Sequence, residues 1–205
     1  MNQNVWKNWT PPKCKIFAWL VMNNRIWTTD RLHRHGWPNC NLCPLCQQVQ
    51  ESAAHLLFQC RYTIRIWGMI KTWLVLHNVQ PNDWIDMVSV KDWWSQNATK
   101  QTPSRRPLVS LMMLISWEIW KERNARVFRN TAVPVGVLVA KIKEECSLWS
   151  LAGAKHLCNI MLREWCTALL TFSLNQWKWQ IFCVMSKDFD HSEKIAKKPK
   201  KSEVL

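Results

Sequence analysis

Four residues in one short segment have the types and spacing to share a metal ion. They are Cys43, Cys46, His55 and Cys60, in the pattern Cys-x2-Cys-x8-His-x4-Cys. Two cysteines separated by two residues form a tight knuckle whose sulfurs converge on one point. His55 and Cys60 return to that point from the other side of the segment. Three thiolates and one imidazole fill a tetrahedral zinc site of the structural kind, which leaves no position for water or substrate. The competing reading is a set of buried thiols and a core histidine. Four ligands at finger-like spacing favour the metal. Cys40 lies three residues before Cys43 and competes as a ligand, but Pro44 and Leu45 make a compact turn between Cys43 and Cys46. His33 and His35 are weaker competitors. The other cysteines, Cys14, Cys146, Cys158, Cys166 and Cys183, are scattered and read as small core hydrophobes.

These ligands need elements to hold them. His55 and Cys60 are five apart, about 140° around an ideal α-helix. They cannot both point inward from one straight helix, so the helix that Ser52 caps, running through Phe58, must end just before Cys60. Upstream, Pro12 suits a first helical turn, where its missing N–H costs nothing. A second short helix follows Thr28 or Thr29 and stops at Gly36. Downstream, Thr63, Ile66, Trp67, Ile70, Trp73 and Leu74 recur at three- and four-residue steps, which predicts a helix from about Arg61 to Leu76. Gln80-Pro81-Asn82-Asp83 breaks it, and residues 84–94 read as one short helix. Residues 95–107 have no apolar period and read as a linker. Leu108, Leu111, Met112, Ile115 and Ile119 then mark one face of a helix ending at Arg129, with Lys121, Arg123, Arg126 and Arg129 towards its negative end. Leu138, Ile142, Cys146 and Trp149 mark another, stopped near Gly153.

The expected fold is therefore mainly α. Short helices surround a small CCHC zinc loop, followed by a helical hairpin region and a disordered basic tail from about residue 186. The expected divisions are a zinc-binding domain at 1–80, a short helix and linker at 81–107, a helical region at 108–157 and an off-pattern segment with the tail at 158–205. Composition supports a packed chain: 205 residues, 48% hydrophobic and 20% charged. With four glycines and no GxGxxG or GxxxxGK[ST] pattern, phosphate-cradling loops are not expected.

The charge points to a polyanionic partner. Lys and Arg number 28 against 14 Asp and Glu, a formal +14. The surplus is spread: +4 in residues 1–60, +4 in 61–107, +2 in 108–153 and +4 in 154–205. Lys7, Lys13, Lys15, Arg25, Arg31 and Arg34 surround the zinc segment and are the expected phosphate contacts. Trp37, at the entrance to the loop, is the expected stacking residue for an unpaired base. The other tryptophans, mostly at helical spacing, read as core. The first eleven residues hold no apolar secretory region, and no run reaches the roughly 18 apolar residues of a membrane span. An odd count of nine cysteines fits a reducing, intracellular compartment. Lys197-Lys198-Pro199-Lys200-Lys201 looks like a nuclear import signal, with a solvated cytoplasmic tail as the other reading.

The residues also carry a resemblance. Residues 6–67 resemble the zinc-binding domain that follows the reverse transcriptase in plant non-LTR (LINE-type) retrotransposons. The matching features are Trp6-Lys7, Pro12-Lys13-x-Lys15-Ile16-Phe17-x-Trp19-Leu20, Thr29-x-Arg31-Leu32 and Gly36-Trp37. They continue through Cys43-x2-Cys46 and Glu51-Ser52-x2-His55-Leu56-Leu57-Phe58-x-Cys60 to Trp67. Residues 117–128 and 148–155 are similar to the helical region downstream in such elements. The resemblance implies Cys43, Cys46, His55 and Cys60 as ligands of Zn2+. It implies an ancestral task of gripping element RNA or target DNA beside a polymerase. The polymerase and nuclease chemistries of a full element are not expected here. No Tyr-x-Asp-Asp pair occurs, and the acidic residues form no two-metal set. The expected function is thus a retrotransposon-derived, zinc-stabilised protein that binds RNA or DNA through the backbone, without enzyme activity, membrane or small-molecule substrate. A protein-interaction scaffold or a relic reading frame are the alternatives.

Overall fold

From Pro107 to Ser116 every residue of one helix is buried. That helix, α6 (Arg105–Arg129), is apolar around its whole circumference there, so other elements must surround it. The computed structural model describes residues 3–76, 79–99, 105–158 and 160–161, all within the compact unit Met1–Leu162. The described residues are mainly helical. Among these described residues seven further α-helices precede and follow α6: α1 (Gln3–Lys7), α2 (Pro12–Met22), α3 (Thr29–Arg34), α4 (Arg61–Leu74), α5 (Val90–Thr99), α7 (Val135–Leu151) and α8 (Lys155–Cys158). Helix α6 packs against α1, α2, α5, α7 and α8, and against a helical turn at His55–Gln59. Sequence periodicity gave one apolar face; Val109, Met113 and Leu114 bury the other side as well.

Local chemistry explains the partners. Pro12 opens α2, which buries Cys14, Phe17, Ala18 and Val21. Phe17 meets α6 edge-on at Trp117, 5.4 Å between rings. Helix α3 ends on Gly36 at φ +78°, with Gly36 N–H donating to the His33 carbonyl and Trp37 N–H to that of Leu32. This is the Schellman stop that a left-handed glycine permits. Helices α6 and α7 form an antiparallel hairpin: Asn130, at φ +50°, ends α6, and Pro134 starts α7. Helix α7 turns Leu138, Val139, Ile142, Cys146 and Trp149 inward. On α4, Trp67 joins Trp84, Trp93 and Phe58 in an aromatic cluster, with Phe58 stacked on Trp93 at 4.9 Å. Each such pair adds about 0.5–1.5 kcal/mol beyond its buried area.

Two expectations are corrected. Residues 84–94 do not form one helix. Pro81–Trp84 is a short 3-10 turn, and α5 begins only at Val90. Nor are residues 95–107 all linker, since α5 runs on to Thr99 and α6 starts at Arg105. The reason lies in burial. Trp93, Trp94, Asn97 and Ala98 share one buried face, and the Asn97 amide is satisfied by the Trp93 carbonyl at 2.8 Å. A polar residue that bonds its own helix does not break the period. The expected basic tail, Cys166 and Cys183 lie outside the described residues.

Candidate metal centre

The loop before the centre is a turn closed on itself. Gln47 N–H donates to the Cys43 carbonyl at 2.7 Å, and Gln47 sits at φ +55°. Leu42 and Gln50 pair as a single antiparallel bridge, and Cys43 N–H donates to the Val49 carbonyl at 2.8 Å. Pro44 and Leu45 occupy the bend, and the two cysteine sulfurs leave it on one side.

The second half of the centre comes from a wider turn. Ser52 Oγ accepts the His55 N–H at 3.0 Å, fixing the helix start. The backbone then widens into a π-turn over His55–Gln59, with Cys60 N–H donating to the His55 carbonyl at 2.7 Å. Bonds from i to i+5 are uncommon and recur at functional sites. Here the extra residue solves the problem that 140° posed, because a five-residue turn brings residue i+5 back over residue i. Carbonyls freed by this break are taken up by α4. Thr63 Oγ1 donates to the Leu56 carbonyl at 2.7 Å, and Trp67 Nε1 donates to that of Leu57 at 3.2 Å.

The result is a tight cluster. The Sγ atoms of Cys43, Cys46 and Cys60 and a ring nitrogen of His55 all lie within 4.8 Å of one another. Cys43 Sγ is 3.9 Å from Cys60 Sγ, and Cys46 Sγ is 3.3 Å from His55 Nε2. A tetrahedron with Zn–S bonds of about 2.3 Å places its sulfurs roughly 3.8 Å apart. The cluster therefore fits a zinc ion. Cys43, His55 and Cys60 are buried and Cys46 half-buried.

The groups of the cluster shift one another's proton affinity. Cys43 donates to Cys60 and is buried, which pushes its thiol up to about 12. Accepting that bond lowers Cys60 below the ordinary thiol value. Burial disfavours a charged His55 ring, but the thiols of Cys43 and Cys46 outweigh it and raise the ring's proton affinity. Zinc binding displaces these protons, since thiolates and a neutral imidazole are what it ligates.

Helix α6 grips the loop twice. Arg123 donates from Nε to Glu51 Oε1 and from Nη2 to Oε2, both at 2.9 Å. Glu51 also accepts the Thr29 N–H at 2.7 Å. Both charged side chains are buried, 3% exposed for Arg123 and 0% for Glu51. Three turn-holding bonds thus compensate the desolvated carboxylate, in the bidentate geometry that suits a guanidinium. One helical turn later, Arg126 Nη1 donates to the carbonyls of Pro44 and Leu45 at 3.3 and 3.0 Å. Sequence reasoning placed Glu51 only in a motif and Arg123 only at a helix end. Nothing in local spacing pairs residues 72 positions apart.

The competing ligands stand elsewhere. Cys40, His33 and His35 are exposed and outside the cluster. Of the expected phosphate contacts, Lys7, Arg25 and Arg34 are exposed, while Lys13, Lys15 and Arg31 are half-buried. Several are already engaged. Arg31 donates to the Asn24 carbonyl at 2.6 Å and lies over the Trp27 ring. Lys15 donates to the Trp6 carbonyl at 3.1 Å, Arg34 pairs with Asp30 at 3.0 Å and Arg25 lies over Trp19. Trp37 is 65% exposed.

Residues 1–67 match the family model described as zinc-binding in reverse transcriptase. The zinc-binding match therefore contains all four clustered residues and Glu51, and it stops before Arg123. The chain is also similar to a putative ribonuclease H protein of Arabidopsis thaliana, 27% identical over 125 residues. That stretch covers 60% of this chain and 19% of the relative. No solved structure matches. Among the described residues, no helix is long and apolar enough to cross a membrane.

Proposed function

We propose that this chain is a zinc-stabilised module that binds nucleic acid through the phosphate backbone, derived from the C-terminal region of a retrotransposon. The observation that carries the reading is a closed Cys3His cluster within a chain of formal charge +14. In this reading Cys43, Cys46, His55 and Cys60 hold the ion. The ion fixes the fold of the loop and takes no part in a reaction, because all four positions are filled by protein. Residues 1–80 are the zinc-binding part, 81–107 a connection that itself holds the packed helix α5, and 108–157 the helical part that clamps the loop. Lys7, Lys13, Lys15, Arg25, Arg31 and Arg34 contribute to the positive surround, and exposed Trp37 offers a stacking face. The module acts without polymerase or nuclease chemistry of its own.

Backbone binding of this kind is weakly sequence-selective and falls steeply with salt. For the scaffold reading, Trp67, Trp84, Trp93, Trp94 and Trp149 are buried and offer a partner nothing, which leaves it only the exposed Trp6, Trp27 and Trp37 among the described tryptophans. The test is filter binding of the zinc-loaded chain to single-stranded RNA and DNA at low salt. Retention that declines with added salt is the expected result, and no retention of either nucleic acid defeats the proposal.

A further inference from the structure

The exposed side of α4 carries a feature that the zinc cluster does not explain. Gly68 lies in the interior of this 14-residue helix, where glycine is a far poorer helix former than alanine. A Cβ added there meets nothing within 4 Å, so no packing contact requires the glycine. It opens onto a groove of about 960 Å³ lined by Met69 and Thr72 of α4 and by Val133 and Pro134. A second hollow of about 160 Å³ shares Tyr62 and Arg65 with it and reaches Leu45, Cys46 and Gln48 of the zinc loop. The two adjoin at Tyr62 and Arg65, which line both. They form a track from the metal centre along α4, which spans about 16 Å between Arg61 and Thr72.

The track is positive and partly apolar. Arg61 and Arg65 are exposed on its edge, and the Arg65 side chain forms no hydrogen bond or ion pair with any described residue. Arg61 has only a 3.5 Å contact with Gln48. Arg126 closes the inner wall, its guanidinium over the Tyr62 ring at 4.6 Å. Among the described residues no aspartate or glutamate lines either hollow. Glu122 pairs with Arg126 behind the wall at 2.7 Å, so the unpaired charge of the track is that of Arg61 and Arg65. Arg61 and Arg65 are one helical turn apart, with Cβ atoms about 5–6 Å from each other. That separation is comparable to the distance between successive phosphates on an extended single strand. Guanidinium planes and an apolar lining supply faces for unpaired bases.

The geometry points to this track as the seat of a single-stranded polynucleotide, with phosphates on Arg61 and Arg65 and a base in the space beside Gly68. The inference rests on the proposed nucleic-acid binding and moves its main contact surface away from the N-terminal basic residues, several of which are engaged within the fold.

The test uses the full zinc-loaded chain and a fluorescein-labelled mixed-sequence 20-mer, as RNA and as DNA. Arg61→Ala/Arg65→Ala is expected to lower the slope of log affinity against log salt by about 1.4, the share of two phosphate contacts on a single strand. Gly68→Phe keeps every charge and fills the track. It is expected to weaken binding at least about fivefold, the worth of one stacked base. Helicity by circular dichroism and one zinc per chain show that it folds. Lys91→Ala/Lys155→Ala removes the same charge from exposed positions elsewhere and is expected to stay within about twofold of the parent. Wild-type affinity in Gly68→Phe, or equal losses in the two charge variants, overturns the track while leaving the proposed function standing. An acidic peptide of equal charge that competes as well as unlabelled 20-mer overturns the choice of a polynucleotide. No binding by the parent chain overturns the proposed function and the track together.

Discussion

The zinc loop and the α6–α7 hairpin are stabilised by different physics within one compact unit. Between Trp37 and Gln50 only Cys43 and Leu45 are buried. Between Pro107 and Ser116 every residue is. The hairpin can draw on the hydrophobic effect, while the loop has almost no apolar area to remove from water. The loop must depend on ligand bonds and on the two arginines that α6 extends to it. Metal-dependent and burial-dependent stability therefore meet at Glu51 and Arg123.

The comparison breaks most visibly if the ion is removed. Structural zinc supplies apparent free energies of about 10–16 kcal/mol in finger peptides, so Cys43→Ser or a strong chelator should abolish protection of the loop amides. Hydrogen exchange should show Cys43, Gln47 and Cys60 unprotected while residues 111–119 stay protected. Equal loss in both regions would show that they are not separable. Next in size is Arg123→Met, which strands a buried carboxylate at a cost of about 3–5 kcal/mol in urea unfolding. Glu51→Gln together with Arg123→Met should cost much less than Arg123→Met alone, since no charge is then left unpaired. A smaller effect on the other side is Ile115→Val, about 0.5–1.5 kcal/mol, with zinc content unchanged.

The smallest effect is a pH dependence in α8. Burial, and then the charge of Arg106, hold His156 below its ordinary value of 6.5. Its Nε2 lies 2.9 Å from Ser110 Oγ on α6. The fold favours the neutral ring, so the contribution is complete above 6.5. It declines as pH falls below 6.5 and levels off once the folded ring is itself protonated. Exchange at the Leu157 amide, corrected for intrinsic rate, should rise between pH 7.5 and 5.5. In His156→Gln that rise should disappear.

Much of the helical order was legible because it rests on local periodicity. The residues chosen by spacing as ligands are the four whose ligand atoms converge, and the Gly36 stop follows from the freedom of one glycine at positive φ. The His-x4-Cys interval signalled that an ordinary helix would not serve, but not that a π-turn would. Three features were illegible for physical reasons. Asn97 satisfies itself on its own helix, so a polar stretch hid the second half of α5. The two-sided burial of α6 depends on which helices surround it. The Glu51–Arg123 pair depends on chain reversal over 72 residues, about which local pattern is silent.

That long separation has a consequence for the order of assembly during synthesis. Chains emerge at roughly 5–20 residues per second, so Arg123 follows Cys60 by about 3–13 s. All four clustered side chains are outside the ribosome throughout that interval, and the helix that will hold their loop has yet to emerge. The ion can be loaded onto an open loop whose Glu51 is still hydrated. Arrival of α6 then adds the Arg123 and Arg126 bonds to the loop, so the interval leaves time for metallation before closure.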